Sequence, residues 1–430
     1  MSASSPAIPV AVPRSTGYRW KICALLFFAT LISYIDRGVI GYLEKYLEGV
    51  IGWNSIQYSY MTASFQTAYA IGLFCAGWLT DRMGTRRGFA IAIVLWSCAA
   101  MLPGAAFSAL TFGIAMFFLG LGESANFPAC IKTVAEWFPR KQRALATAIF
   151  NSGSSAGNIV VPLIVPVLTY RLGWRGAFVG TGALGFVWLA FWLRMYAKPE
   201  EHRSVSPQEL AFIQSEREEH LERVPFSRIL PCKETWAFSI GKFLTDAIWW
   251  FYLFWLPRYL QGVFHLNLKQ SEIPVMAVYV ISCIGGIAGG WLPSIMLRSG
   301  FSQNAARKTA LLICALIVVP VIYAPFAAGL WTVVLLIGLA TAGHQGFSAN
   351  LFTLPSDVFP KSAVATVVGF GGMVGAAGGV LFQLVTGRVV HATNSYLPLF
   401  AVACSAYLVA LFFIQLLAPK LTPALPATDH

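Results

Sequence analysis

A chain of 430 residues that is 57% hydrophobic and only 11% charged carries more apolar surface than a soluble domain of this length needs. Its mean hydropathy of +0.66 and its net charge of +12 describe a membrane protein with a basic balance. These values exclude a soluble globular fold.

Long apolar segments recur along the chain. A segment of about 20 apolar residues can cross a bilayer. Backbone groups in lipid must be bonded internally, so each segment is predicted to be a helix, and the alternation typical of a β-barrel is absent. The predicted fold is an all-α membrane protein. The twelve predicted spans lie at residues 20–42, 57–79, 89–107, 109–131, 144–169, 174–196, 235–261, 272–297, 309–328, 331–356, 363–390 and 395–417.

The basic residues are distributed unevenly between the predicted loops. Most of the 30 Lys and Arg residues fall on the side of the membrane that holds the N-terminus. Because basic loops stay cytoplasmic, both termini are predicted to be cytoplasmic. The positive charge then reflects membrane topology, and no nucleic acid is expected as a partner. The eight cysteines form neither a CxxC pair nor a metal-ligand pattern, so no metal site is predicted.

The first span carries Asp36 and Arg37 next to each other, after an apolar run from residue 22 to residue 32. A charge at membrane depth costs from about 2.5 to more than 10 kcal/mol unless it faces a water-filled cavity or an opposite charge. Two interpretations remain open for this pair. It handles an anion or a proton inside a transporter, or it snorkels at the periplasmic end of the helix.

The loop between the second and third spans is the most specific motif. Residues 77–87 read GWLTDRMGTRR. The two glycines permit close helix contact and a tight turn. Asp81 can form a charge-pair latch with basic residues such as Arg82 and Arg86, which would close the cytoplasmic face as a gate. A loop that only fixes topology would need the basic residues but neither Asp81 nor the glycines.

Further polar groups lie in the fourth and fifth spans. Glu123 is a lone carboxyl in apolar surroundings, and burial favours its neutral form, which suits proton coupling. Alternatively, it is hydrogen-bonded to a neighbouring helix for packing. Asn151 and Ser154 in the fifth span either face a cavity or hold membrane helices together.

A charged, Pro-containing stretch divides the chain into two halves of six spans, which repeat weakly. Repeated halves with a site between them are typical of transporters. The predicted division is a disordered tail (1–17), a six-helix bundle (18–197), a cytoplasmic linker (198–233), a second six-helix bundle (234–418) and a C-terminal tail (419–430).

The second half adds two polar clusters. Lys242 and Asp246 lie four residues apart and share a helix face. They either neutralise each other, or Lys242 binds a substrate carboxylate while Asp246 or aromatic residues such as Trp250 accept sugar hydroxyls. The tenth span presents a polar wall. Its candidate substrate-binding residues are His344, Gln345 and Asn350, and His344 is alternatively a hydrogen-bonded packing residue.

These motifs together resemble the major facilitator superfamily. Residues 77–87 match its loop signature, G-x-L-x-D-R-x-G-x-R-R, at every specified position. Its anion:cation symporter branch is resembled by residues 34–37 (YIDR), 122–128 (GESANFP) and 137–139 (WFP). Bacterial hexuronate transporters are resembled by residues 241–246 (GKFLTD) and 344–350 (HQGFSAN). The similarity extends over residues 18–420.

The resemblance implies a fold of two pseudo-symmetric six-helix bundles and a role for each residue of the first site. Asp36 and Glu123 are implied as the proton-coupling carboxylates. Arg37 is implied to bind the substrate carboxylate, with Tyr34 and Tyr69 nearby. One position departs from the family, which usually has Arg seven residues before the membrane glutamate. Here that residue is Met116, so coupling and substrate differ from the usual pattern or are supported by another cation.

The predicted function is a proton-coupled symporter of the bacterial inner membrane that imports a small sugar acid, a hexuronate first. It is expected to be a monomer that uses the proton gradient and no cofactor. An aldonate, an aldarate or an aromatic acid is the alternative substrate, and a transport-dead ligand sensor is the alternative class. An enzyme is not predicted, because no nucleophile–base set, metal ligands or phosphate loop was found.

Overall fold

The computed structural model describes residues 17–215, 225–422 and 424, without the side chains of residues 74, 76–81, 140, 144, 361 and 365. Helices account for most of these residues, and no β-strand occurs among them, which confirms the all-α prediction. The predicted N-terminal tail lies almost wholly outside the described residues, and the side chain of Asp81, from the predicted gate, is also outside them.

The helices follow one another with short connections. They are α1 (Tyr18–Ile51), α2 (Ser55–Met83), α3 (Thr85–Met101), α4 (Ala109–Glu123), α5 (Asn126–Trp137), α6 (Arg140–Met195), α7 (Pro207–Gln214), α8 (Phe226–Ile229), α9 (Lys233–Val263), α10 (Glu272–Arg298), α11 (Gln303–Val318), α12 (Leu330–Leu351), α13 (Leu354–Val358), α14 (Lys361–Thr393) and α15 (Leu397–Leu417). Two 3₁₀ turns, Leu102–Ala105 and Val319–Phe326, extend α3 and α11.

Twelve membrane passes result from these helices. In the described chain, nine stretches are long and apolar enough to cross a membrane. One of them contains two passes, because Gly173 breaks α6 with φ 74° and ψ 169°, a conformation that glycine adopts without strain. The more polar α2 and α9 complete the set. The pairs α4–α5 and α12–α13 each form one interrupted pass.

Two predicted boundaries were wrong. The first span was expected to end at residue 42, yet α1 continues to Ile51. Its last turns carry Glu44, whose carboxylate is paired across the molecule, so the polar stretch remains helical. The fourth predicted span runs from residue 109 to residue 131. Instead α4 ends at Glu123, and α5 begins at Asn126 and reaches Trp137.

The two halves meet along three helix pairs, in which α1 contacts α9, α2 contacts α14 and α6 contacts α10. We call the face that carries Tyr18 and Leu417 the terminal side, and the face that carries the α1–α2 and α9–α10 loops the loop side. Between described residues, the hydrogen bonds that join the halves lie toward the loop side. They include Tyr58 Oη to the Phe254 carbonyl at 2.8 Å and Tyr42 Oη to the Leu268 carbonyl at 2.7 Å.

We call the interface formed by these three helix pairs the seam, and glycines bring the helix backbones close together there. A Cβ at Gly41 would lie 3.2 Å from the carbonyl oxygens of Leu253 and Phe254, and one at Gly387 would clash with Ser59. The loop side of the seam is therefore packed too tightly for a solute to pass.

The first part of the linker packs against the N-terminal half. Glu209 of α7 is fully buried and accepts hydrogen bonds from the Tyr18 and Arg19 amides at 3.1 and 3.2 Å. Arg19 Nη1 lies 2.9 Å from the same carboxylate. A carboxylate there satisfies free amides of the first helical turn and complements the helix dipole. The linker thus fixes the start of α1.

Candidate functional site

Arg37 lies inside the membrane-spanning part of α1, fourteen residues before the helix ends at Ile51. The residue is 2% exposed, and its side chain is surrounded by aromatic rings. The Cζ atom is 4.3 Å from the Tyr34 ring centroid, 5.3 Å from Tyr69 and 5.8 Å from Trp250. Phe65, at 5.5 Å, completes what we call the aromatic cage. Because the cage uses α1, α2 and α9, both halves stabilise the cation.

The charge partner of Arg37 is Glu123, at the end of α4. Arg37 Nε donates to Glu123 Oε2 at 2.9 Å, and Nη2 lies 2.6 Å from the same oxygen. Ser33 Oγ also donates to Oε2 at 3.1 Å and accepts from Arg37 Nη2 at 3.0 Å. In the described chain, Glu123 Oε1 has no hydrogen-bond partner. Three donors therefore converge on one oxygen of a fully buried carboxylate.

Asp36 points away from this pair. The sequence places it beside Arg37, but consecutive side chains on a helix diverge by about 100°. Its carboxylate is buried in the N-terminal half, near Thr181 and Trp96, and neither oxygen has a hydrogen-bond partner among the described residues. The alternative in which the two side chains snorkel at the periplasmic end of the helix does not fit, because both residues are buried. Arg37 is neutralised from α4.

Lys242 and Asp246 do form an ion pair, with Lys242 Nζ 2.8 Å from Asp246 Oδ1. Lys242 also lies 4.2 Å from the Phe352 ring centroid. Trp250 follows Asp246 by four residues, so these three side chains line one face of α9. The face connects the ion pair to the aromatic cage around Arg37. It does not separate the two interpretations of Lys242, because a substrate could still replace Asp246.

Of the three candidate residues in the tenth span, two are held by packing contacts and hydrogen bonds, and the third is half-buried. His344 is buried, its Nδ1 is 2.8 Å from Tyr407 Oη, and its ring stacks on Trp249 at 4.9 Å. Asn350 donates to the Gly289 and Gly346 carbonyls at 2.8 Å and joins α12 to α10. Gln345 is half-buried beside α10. For His344 and Asn350, the contacts favour packing, and a substrate role stays a prediction.

Asn151 and Ser154 lie on the part of α6 that precedes the break at Gly173. Asn151 is exposed, and Ser154 Oγ donates to its carbonyl at 2.7 Å. Gly157, one turn further on, contacts Tyr34 of the aromatic cage. Both polar residues therefore lie near the cage, on the terminal side of it, and their binding roles stay predictions.

The gate residues are only partly described. Asp81 lies outside the described side chains, and Arg82 is exposed at the end of α2. Arg86 Nη2 donates to the Leu193 carbonyl at 2.6 Å, and Trp192 Nε1 donates to the Arg86 carbonyl at 3.1 Å. These contacts attach the start of α3 to the end of α6.

A second buried charge cluster was missed from the sequence. Arg258 of α9 forms an ion pair with Glu44 of α1 and lies 3.0 Å from Glu48. It also donates to Ser55 Oγ at 2.9 Å, and Trp53 Nε1 donates to Glu44 at 3.3 Å. The signal was a pair of opposite charges, each near the outer end of a predicted span. We call this cluster the loop-side latch because it joins the two halves there.

The helix arrangement and the chain's relatives agree. The family model of the Major Facilitator Superfamily matches residues 26–383. The chain belongs to this superfamily. The predicted resemblance and the twelve-helix fold are thereby confirmed, and the protein is a multi-pass membrane transporter by family.

Curated relatives and solved structures extend the comparison. The Hexuronate transporter of Escherichia coli (strain K12) is 31% identical over 398 residues, which cover 90% of each chain. The "Probable galactarate/D-glucarate transporter GudP" of Bacillus subtilis (strain 168) is 28% identical over 425 residues, covering 94% of this chain and 93% of that protein. A bacterial Spinster homologue in an inward-facing, occupied conformation has a TM-score of 0.74 at 18% identity, with 94% and 97% coverage. A D-xylose-proton symporter has a TM-score of 0.71 at 14% identity, with 95% and 98% coverage.

Proposed function

We propose that the protein imports a small sugar acid, a hexuronate first, together with protons. The observation that carries this proposal is the buried Arg37–Glu123 pair inside the aromatic cage. An arginine held by a carboxylate can exchange that partner for the carboxylate of a substrate. The names of the relatives, which are transporters of hexuronates and aldarates, support the same class of substrate.

The proposed coupling uses the unequal oxygens of Glu123. A proton placed on Oε1, which has no partner among the described groups, removes the charge that Arg37 faces. Arg37 then offers its planar fork of N–H groups to the substrate carboxylate, a geometry that favours two parallel hydrogen bonds. Loss of the proton restores the Arg37–Glu123 pair and expels the substrate. Asp36 is proposed as the second proton-binding carboxylate.

We also propose that residues 18–197 and 234–418 rock against each other about this site, as alternating access requires. The terminal side, which holds most of the basic loops, is assigned to the cytoplasm. The sealed loop side then corresponds to an inward-facing state. Neither a cofactor nor a second subunit enters this scheme.

An aldarate, which has a carboxylate at each end, is the second candidate substrate. The observation that favours it is a second buried cation, Lys242, on the face of α9 that leads to the cage. A dicarboxylate could engage Arg37 at one end and displace Asp246 from Lys242 at the other. Met116, buried where similar transporters usually carry Arg, leaves Lys242 as a candidate for that cation.

The proposal is tested with purified protein. A thermal-shift screen compares glucuronate, galacturonate, galactarate, gluconate and benzoate, because a ligand stabilises the folded state by RT ln(1 + [L]/Kd). Uptake of the best ligand into proteoliposomes is then measured with an inward proton gradient, with and without a protonophore. If the protonophore does not reduce substrate accumulation, the proposed coupling to protons is wrong. Binding of benzoate but of no sugar acid overturns the substrate class.

A further inference from the structure

Gln66 on α2 has a buried side-chain amide that forms no hydrogen bond with the described residues. The residue is 1% exposed, and neither Nε2 nor Oε1 has a hydrogen-bond partner within the described chain. Buried amides are nearly always hydrogen-bonded, since an unpaired one loses its interactions with water without replacement. A glutamine buried in α2 with an unpaired amide therefore requires an explanation beyond packing.

Gln383, a second glutamine at the seam, has a side-chain amide whose oxygen and nitrogen are both hydrogen-bonded. One turn toward the loop side, Thr62 Oγ1 donates to Gln383 Oε1 at 3.0 Å, and Gln383 Nε2 donates to the Trp250 carbonyl at 3.0 Å. Trp255 Nε1 donates to the same Gln383 oxygen at 2.6 Å. Gln66 lies one turn below this network and does not join it.

Space for the Gln66 amide is made by a glycine of the opposite half. A Cβ placed on Gly379 of α14 would lie 2.8 Å from Gln66 Oε1 and 2.8 Å from Trp250 Cδ1. Trp250 is a wall of the aromatic cage, and Phe65 and Tyr69, on either side of Gln66 in α2, are two more. The unpaired amide thus borders the aromatic cage that holds Arg37, at the level where the tightly packed loop side of the interface ends.

We propose that Gln66 is a specificity-determining residue that recognises a hydroxyl group of the sugar acid bound by Arg37. This inference rests on the proposed function. A hydroxyl both donates and accepts, and the amide offers both functions, so one sugar hydroxyl can satisfy it. The substrate reaches the amide when the seam loosens at Gly379 on the way to the loop-side-open state. Apolar carboxylates of similar size leave the amide unpaired and are disfavoured.

The test combines a substitution with a series of substrates. Binding of the best sugar acid and of its monodeoxy analogues, each lacking one hydroxyl, is measured by calorimetry for the wild type and for Gln66→Leu. We expect one deoxy analogue to bind about tenfold more weakly than the parent to the wild type but equally well to Gln66→Leu. An equal loss for all analogues, or no change, overturns hydroxyl recognition.

A second variant keeps Gln66 but places a methyl group at Gly379, against the side-chain amide. Gly379→Ala is expected to weaken binding of the parent acid at least fivefold. Gly372→Ala, on the same helix with open space around its Cβ, is the matched control and is expected to stay within twofold. If Gly379→Ala binds like Gly372→Ala, the proposal fails. If the wild type binds no sugar acid at all, the proposed function fails, and this inference fails with it.

Discussion

Arg37 contacts a single oxygen of Glu123 through two nitrogen atoms, Nε at 2.9 Å and Nη2 at 2.6 Å. A fork that is fully matched to a carboxylate would use both oxygens. Here the second oxygen, Oε1, is unpaired in the described part of the protein. The two charges therefore neutralise each other, but one carboxylate oxygen remains without a hydrogen bond. That oxygen can take up a proton, and the guanidinium can then bind a second anion.

The first prediction concerns the guanidinium. Arg37→Lys keeps the charge but replaces a planar fork by a point charge, so substrate affinity should fall by about 1–3 kcal/mol, the range for hydrogen bonds to charged groups. Calorimetry with the best sugar acid measures the loss. Arg175→Lys, an exposed substitution on the loop side, is the control and should bind normally. An unchanged Kd in Arg37→Lys would assign Arg37 to structure.

The second prediction concerns the proton. Glu123→Gln mimics the protonated carboxyl permanently, so it should retain substrate counterflow while losing accumulation driven by a pH gradient. Both activities are measured in the same proteoliposome preparation. Glu201→Gln, exposed on the linker, should keep both. If Glu123→Gln still concentrates substrate and remains sensitive to a protonophore, the coupling carboxylate lies elsewhere.

The third prediction concerns the loop-side latch. Removing one partner of a buried ion pair is destabilising, and without Glu44 the Arg258 guanidinium keeps only the partly exposed Glu48 as its carboxylate partner. Glu44→Gln should therefore weaken the sealed state by about 1–3 kcal/mol, the cost of a lost charged hydrogen bond. Hydrogen exchange should then accelerate at residues 42–51 and 254–263. Lys45→Gln breaks an exposed pair on the same helix turn, worth about 0–1 kcal/mol, and should change little. Equal exchange in the two variants would contradict the latch.

The fourth prediction concerns the linker. Glu209→Gln weakens a carboxylate that accepts from two backbone amides and faces Arg19. The melting temperature should fall, and exchange should rise at residues 17–22, since losing a helix cap costs about 1 kcal/mol. Glu201→Gln again serves as the control. Exchange that rises across the whole protein, rather than at the start of α1, would show that the linker does not act locally.

Much of the architecture was readable from the sequence. The spans were found because hydropathy is a local property that twenty residues express together, and the 77–87 motif is contiguous. Arg37 and Glu123 stood out because any charge within an apolar span is costly. The Lys242–Asp246 pair was also local, since residues four apart share a helix face. The roles assigned to these residues remain proposals.

Only the tertiary structure decided which partners these groups have. Glu123, 86 residues away, neutralises Arg37, whereas the adjacent Asp36 turns into the N-terminal half. The loop-side latch likewise joins Arg258 to Glu44 across 214 residues, and Glu44 lies on α1 beyond the predicted end of the first span. Hydropathy fixes that a helix spans the membrane but not how it is rotated about its axis or which neighbour it meets. Those two quantities are set by packing between helices, and they determine the long-range pairs of Arg37 with Glu123 and of Arg258 with Glu44.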